Sequence, residues 1–142
     1  MSKFNTPPAP PKKKKDLIHN DVDMELRIDD RHLNEELMDQ PLFFRKWTRL
    51  LSEVSKKAKT IKLVLEETEA ALHSKLSNDG KGRKVKEIES MVALDADVKR
   101  IKRDLIEAEG LVQEFEGIVK AFYQRHEMLK DLAANKRKEL ID

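Results

Sequence analysis

Between Phe44 and Leu72 the side chains Phe44, Trp47, Leu51, Val54, Ala58, Ile61, Leu65, Thr68 and Leu72 recur at alternating steps of three and four. A longer register of the same kind runs Val98, Ile101, Leu105, Ala108, Val112, Phe115, Val119, Phe122, His126, Leu129, Ala133, Lys136 and Leu140. Steps of this size lay a stripe along one face of an α-helix and fill the a and d positions of a heptad repeat. A strand, whose side chains alternate between faces, cannot use them. Two long helices are therefore the frame into which everything else must fit.

Local signals bound those helices. Gln40-Pro41 is expected to open the first, because proline has the right φ for the first helical position and needs no N–H there. The pattern carries it to about Ser77, and Asn78-Asp79-Gly80-Lys81-Gly82 stops it with two glycines that accept left-handed backbone. Val85, Ile88 and Val92 mark a short second helix, and Asp95 is a natural N-cap for the third. The fold class is all-α: two long, coiled-coil-like helices folded back as an antiparallel hairpin. A chain of 142 residues with 39% charged side chains, against about a quarter in average proteins, fits elongated helices in one domain better than a spherical core.

The N-terminal part has another composition. Residues 1–15 hold Pro7, Pro8, Pro10 and Pro11 followed by Lys12 to Lys15 and are expected to be a disordered tail. Residues 16–40 form an acidic arm with nine acids and two basic residues, in which Met24, Leu26 and Ile28 alternate like a short strand or extended segment. In the same arm Leu33, Leu37 and Met38 suggest a single helical turn. Residues 41–142 are expected to be the helical hairpin domain. The absence of cysteine excludes disulfides, thiolate nucleophiles and cysteine metal sites. With no apolar run of signal-peptide or membrane-span type, a soluble cytoplasmic protein with no membrane contact is expected.

The apolar stripe is wider than one partner helix can cover. Phe43, Leu50, Val64 and Ala71 in the first helix, and Leu111, Ile118 and Leu132 in the last, add apolar g positions to the a/d seam. Other subunits are expected to cover the surplus, giving a homo-oligomeric helical ring or bundle. The last helix supplies the expected contacts through Leu111, Val112, Phe115, Ile118, Val119, Phe122 and Leu129.

No catalytic constellation is present, and neither a cofactor nor a metal is expected. Asp79-Gly80-Lys81-Gly82 lacks P-loop spacing and follows no strand. His19, Asp21 and Asp23 imitate a metal site but read better as solvated charge, and His32 and His73 lack partners at ligand spacing. His126, at an a position, reads as a polar core residue that fixes register, with a pH switch as the sharper alternative. Trp47, Phe115 and Phe122 belong to the buried stripe, while Tyr123 is undecided between packing and base stacking. Charge is more informative. From Lys75 to Arg103 there are nine basic residues, Lys75, Lys81, Arg83, Lys84, Lys86, Lys99, Arg100, Lys102 and Arg103, and five acids. An antiparallel hairpin gathers these at one tip, and an oligomer multiplies them into a positive surface able to follow a phosphate backbone.

The order of these features resembles a known group. Phe43-Phe44-Arg45-Lys46-Trp47 at a helix start, the helix end Lys75-Leu76-Ser77, the basic glycine loop and Val92-Ala93-Leu94-Asp95-Ala96-Asp97-Val98 are similar to the UvsY family of phage recombination mediators. Leu105-Ile106-Glu107-Ala108, Gly117-Ile118-Val119-Lys120-Ala121 and Arg125-His126-Glu127-Met128-Leu129 resemble its small prophage-encoded relatives. The likeness covers roughly residues 24–132. It implies a non-enzymatic ring, of roughly six or seven subunits, in the cytoplasm of a phage-infected or prophage-bearing bacterium. Such a ring binds single-stranded DNA and helps load a RecA-like recombinase onto strands covered by single-strand-binding protein. In the family, basic residues at the end of the first long helix are associated with DNA; Lys75 matches such a position, and His73 departs from it.

Two functions thus stand against each other. One is a recombination mediator that acts by binding and presenting single-stranded DNA. The other is a coiled-coil scaffold or adaptor, for example in phage assembly, whose apolar stripes serve protein partners alone. Neutralising Lys81, Arg83, Lys84 and Lys86 separates them, since it cripples only the mediator.

Overall fold

The computed structural model describes residues 14–141. Four α-helices follow one another: α1 (Lys14–Leu26), α2 (Leu33–Ser77), α3 (Val85–Leu94) and α4 (Ala96–Ile141), with one turn of 3-10 helix at Asp30–His32 leading into α2. The tail expected over residues 1–15 lies outside the described residues as far as residue 13, while Lys14 and Lys15 already belong to α1. Helices α2 and α4, of 45 and 46 residues, are each about 70 Å long and pack along one another as the antiparallel hairpin that the heptads require.

The turn chemistry is as the sequence indicates. Gly80 and Gly82 have φ of 77° and 61°, the left-handed backbone that releases the chain from α2. Asp95 ends α3, and its carboxylate accepts from the N–H groups of Asp97 and Val98 at 3.1 Å, capping α4. On the inside, Ile88 and Val92 of α3 pack with Leu65 and the fully buried Val98, and this small apolar cluster closes the loop end of the hairpin.

The open end differs from expectation in two ways. Proline 41 does not start a helix; it lies eight residues inside α2 and leaves the Leu37 carbonyl without its usual N–H partner. An interior proline costs a helix about 3 kcal/mol, and tertiary contacts offset it, for Leu33 and Gln40 in this extra stretch are both buried. The acidic arm is not a strand. Ile18, Val22 and Leu26, at steps of four, form the inner face of α1 and pack on Trp47, Phe115 and Phe122. The alternating Met24, Leu26, Ile28 reading fails because Met24 points to solvent.

Helix α1 also answers part of the surplus-stripe argument. It lies in a cluster with Phe43, Leu50 and Ile118, so the chain's own α1 covers apolar g positions that were assigned to other subunits. It sits on one side of the α2–α4 seam, and burial shifts toward that side in both long helices. Phe43 turns inward while Phe44 is exposed, and Arg125 is buried while its neighbour His126 is exposed. The expectation of His126 as a core residue is therefore corrected: Arg125 holds the inner position. No described helix is long and apolar enough to cross a membrane.

Candidate nucleic-acid interface

The basic residues singled out in the sequence do meet at one end of the molecule. Lys75 lies in the last turn of α2, Lys81, Arg83 and Lys84 in the loop, Lys86 in the first turn of α3, and Lys99, Arg100, Lys102 and Arg103 in the first turns of α4. The hairpin brings these segments together because α3 folds back against both long helices on its apolar face.

The nine are not equivalent. Arg83 is half-buried and donates to the Asp79 carboxylate, which also accepts from the Lys81 N–H at 3.0 Å, so this arginine shapes the loop rather than reaching outward. Arg100 lies 3.6 Å from Asp97, an exposed pair of little energetic weight. The Arg103 guanidinium donates through Nε to the Lys99 carbonyl at 3.4 Å and is otherwise open to solvent. Lys75, Lys81, Lys84, Lys86, Lys99 and Lys102 are exposed, and no ion pair engages them among the described residues. Of the five acids in this stretch, Asp79 and Asp97 meet arginines and Asp95 caps α4. Glu87 and Glu89 stand exposed beside the lysines, and with nine basic against five acidic residues the stretch keeps a net charge of +4 and a positive potential at the tip.

Two grooves flank the tip. Lys102 shares one with Glu69, His73 and Glu89; Lys75 shares the other with Glu67, Asp95 and Asp97. His73, standing where a second basic residue was expected, is exposed in the last turns of α2 with its Nδ1 3.5 Å from the Ser77 hydroxyl. The acidic arm does not screen these groups. Helix α1 packs on Trp47, thirty residues before Ser77, and its Ile18 end opens on a groove that runs to Ile61, sixteen residues or about 24 Å short of Ser77 along α2.

The residues expected to join subunits divide in the same way. Phe115, Phe122 and Leu129 are buried within the chain, with Phe122 and Leu129 at zero exposure, so they have no surface to offer a partner. Ile118 and Val119 pack partly against that core, and Val112 is half-buried. Leu111 remains 37% exposed and lines a groove of about 1110 Å³ with Ile61, Ala108 and Gly110, running along the hairpin from the end of α1.

Sequence reasoning missed the polar cluster at the open end. Arg125, 3% exposed, donates to the Gln40 Oε1 at 2.6 Å, to the Glu36 carboxylate and to the Arg27 carbonyl at 3.3 Å, and its guanidinium lies 5.5 Å from the Phe43 ring centroid. Gln40 in turn donates to the Phe122 carbonyl at 2.7 Å. A second tie joins Glu25 of α1 to the Trp47 indole N–H at 2.6 Å and to Lys46 at 2.5 Å. The available signal was Arg125 at an apolar g position, where a lone charge demands a buried partner. Exposed beside this cluster, Asp29 holds His32 at 3.1 Å and Arg31 at 3.2 Å; the expectation that His32 lacks a carboxylate partner is corrected. Hydrogen bonds from His32 and then Arg31 hold the Asp29 carboxyl at about 2, and the same carboxylate raises the His32 imidazole above its ordinary value. Among the described residues, no three His, Asp or Glu side chains are placed to hold a metal ion.

The chain matches no protein-family model and no curated protein. It is similar to crystal structures of the bacteriophage T4 recombination mediator protein UvsY. For lattice type II the TM-score is 0.74 at 19% identity, covering 91% of this chain and 98% of that one. For lattice type IV the score is 0.72 at 19% identity, covering 90% and 99%. For lattice type I it is 0.71 at 18% identity, covering 86% and 98%. The resemblance read from the sequence therefore holds at the level of fold: this is an all-α chain with the UvsY architecture over nearly its whole length.

Proposed function

We propose that the chain is a non-catalytic, homo-oligomeric recombination mediator that binds single-stranded DNA through the basic tip. The observation that carries this reading is the set of exposed lysines at the tip, Lys75, Lys81, Lys84, Lys86, Lys99 and Lys102, which no ion pair engages among the described residues, in a stretch of nine basic and five acidic side chains. The mechanism is physical. Lysines displace counterions along the strand, and a ring of tips holds and presents it without reading its sequence. A RecA-like recombinase would take the strand over from single-strand-binding protein in a phage-infected or prophage-bearing cell. The fold shared with UvsY supports this assignment. The remaining open apolar surface at Leu111 and its groove supports assembly into an oligomer.

The test is a fluorescence-anisotropy salt titration with labelled single-stranded oligonucleotide, on protein whose mass is known from light scattering. Binding is expected to weaken steeply with salt. The triple variant Lys81→Gln, Lys84→Gln, Lys86→Gln is expected to flatten the log–log salt slope by about 2 per chain if all three lysines touch phosphate. Arg83 is left intact because its contact with Asp79 is structural. An oligomer that ignores single-stranded DNA at low salt would leave the scaffold reading in its place.

A further inference from the structure

The aromatic side chains of the described residues fall into two groups. Phe43, Trp47, Phe115 and Phe122 contact one another: Trp47 stacks on Phe122 at 6.1 Å and 16°, meets Phe115 at 5.9 Å, and Phe43 meets Phe122 at 6.1 Å. Phe44 and Tyr123 take part in none of these ring pairs and are 37% and 57% exposed. Both line one cleft of about 380 Å³, completed by Leu37, Gln40, Pro41 and His126, on the side of the α2–α4 seam opposite α1. Gln40 is buried and bonded to Phe122 and Arg125, so the cleft presents mainly ring faces and apolar carbon, with the Tyr123 hydroxyl and the His126 imidazole as its polar groups.

Its surroundings are basic. Arg45 follows Phe44 and stands one turn from Pro41; Lys120 lies one turn before Tyr123, and Lys130 one turn after His126. All three are exposed. Two exposed acids share that face, Glu127 one turn after Tyr123 and 3.8 Å from Lys130, and Glu116 two turns before Tyr123. Open aromatic faces between cations are the chemistry of sequence-tolerant binding to unpaired bases, in which the rings stack on the base and the cations meet the phosphate.

We propose that the Phe44–Tyr123–His126 cleft is a second single-stranded DNA contact that stacks an unpaired base, some 30 to 50 Å along the hairpin from the lysines of the tip. The inference rests on the reading of the chain as a single-stranded DNA binder and adds a base-dependent contact to a phosphate-dependent one. A strand that touches both follows the length of the hairpin instead of crossing its tip alone.

Two probes separate the contacts: an oligo-dT strand and an abasic strand of equal length with the same phosphates. The wild-type protein is expected to prefer oligo-dT by roughly 5- to 100-fold for one stacked base. Tyr123→Ala should bring that ratio close to one while leaving the salt slope unchanged, and Tyr123→Phe should keep the preference. Phe44→Ala, scored in the same way, supplies a second exposed site that demands no refolding of the core. Equal affinity of the wild type for both strands overturns the inference, as does a preference that survives Tyr123→Ala. A change in oligomer mass in either alanine variant also overturns it, by identifying the cleft as a subunit contact. Failure to bind either strand removes the DNA-binding reading itself, whereas lysine-dependent binding without base preference leaves that reading intact.

Discussion

The two ends of the hairpin solve the same problem in different ways. At the loop end a ten-residue helix, α3, brings Ile88 and Val92 onto Leu65 and Val98, and the cluster is apolar throughout. At the open end the third element is the acidic helix α1, and its apolar contact with Trp47, Phe115 and Phe122 is supplemented by charge: Glu25 on Trp47 and Lys46, and Glu36 with Gln40 on the buried Arg125. A heptad seam leaves a wide stripe to cover at either end. The short α3 covers it cheaply and leaves the surrounding lysines free for a ligand. The arm covers it by tying distant parts of the chain together, at the cost of burying a charge.

The largest expected effect tests that contrast at the open end. Arg125→Leu leaves Glu36 and Gln40 without their donor, and breaking a largely buried ion pair from one side costs about 3 to 5 kcal/mol. Urea denaturation followed by circular dichroism at fixed protein concentration measures it. Trp47 emission should also shift to the red as α1 loosens. Pairing Arg125→Leu with Glu36→Leu should restore most of the loss, because the penalty lies in the stranded charge. A loss below about 1 kcal/mol for the single variant, smaller than an unpaired buried charge permits, would mean that Ile18, Val22 and Leu26 hold the arm without help.

A smaller effect is expected at the loop end. Asp95→Ala removes the cap of α4 and should cost about 1 kcal/mol, with Trp47 emission unchanged because the two core clusters are separate. A shift in Trp47 emission would show that the two ends unfold as one unit and would break the comparison.

The parts of this structure that were legible in the sequence are those fixed by local chemistry. Glycine at left-handed φ, a carboxylate at an N-cap and apolar steps of three and four depend on a few neighbouring residues, and the loop, α3, the start of α4 and the α2–α4 pairing were all readable from them. The arm was not, because Met24, Leu26 and Ile28 offered a strand alternation that competed with the true Ile18, Val22, Leu26 steps of four. Only the aromatic surface of the hairpin decides between the two. The same surface decides which of two adjacent positions faces inward. Phe43 and Phe44, like Arg125 and His126, flank the seam about 100° apart, and a two-helix pattern cannot tell which side a third helix will take. For the candidate site, the location of the basic tip was legible from charge counting; the withdrawal of Arg83 into a pair with Asp79 was not, since it depends on the geometry of the glycine loop.

The smallest expected effect lies in the joint between arm and hairpin, where charge is exposed rather than buried. Asp29 begins the turn that enters α2, and its carboxylate accepts from the Arg31 N–H at 3.0 Å while meeting the His32 ring. Its carboxyl is held at about 2 against an ordinary 3.8, so its contribution to stability is present above pH 3.8 and is lost as pH falls through about 2. His32 is raised above 6.5, so its contribution is complete below that value and is lost as pH rises through the raised one. Both are complete together between about pH 4 and pH 6.5 and decline outside that window, and solvent screening keeps the total small. An NMR titration of the His32 ring should show the raised midpoint, and Asp29→Asn should return it to the ordinary value. A midpoint already at 6.5 in the unaltered chain would mean that the Asp29 contact is not kept in solution. The joint would then rest on Arg125 and the apolar face of α1, making the open end depend still more on the buried Arg125 that distinguishes it from the tip.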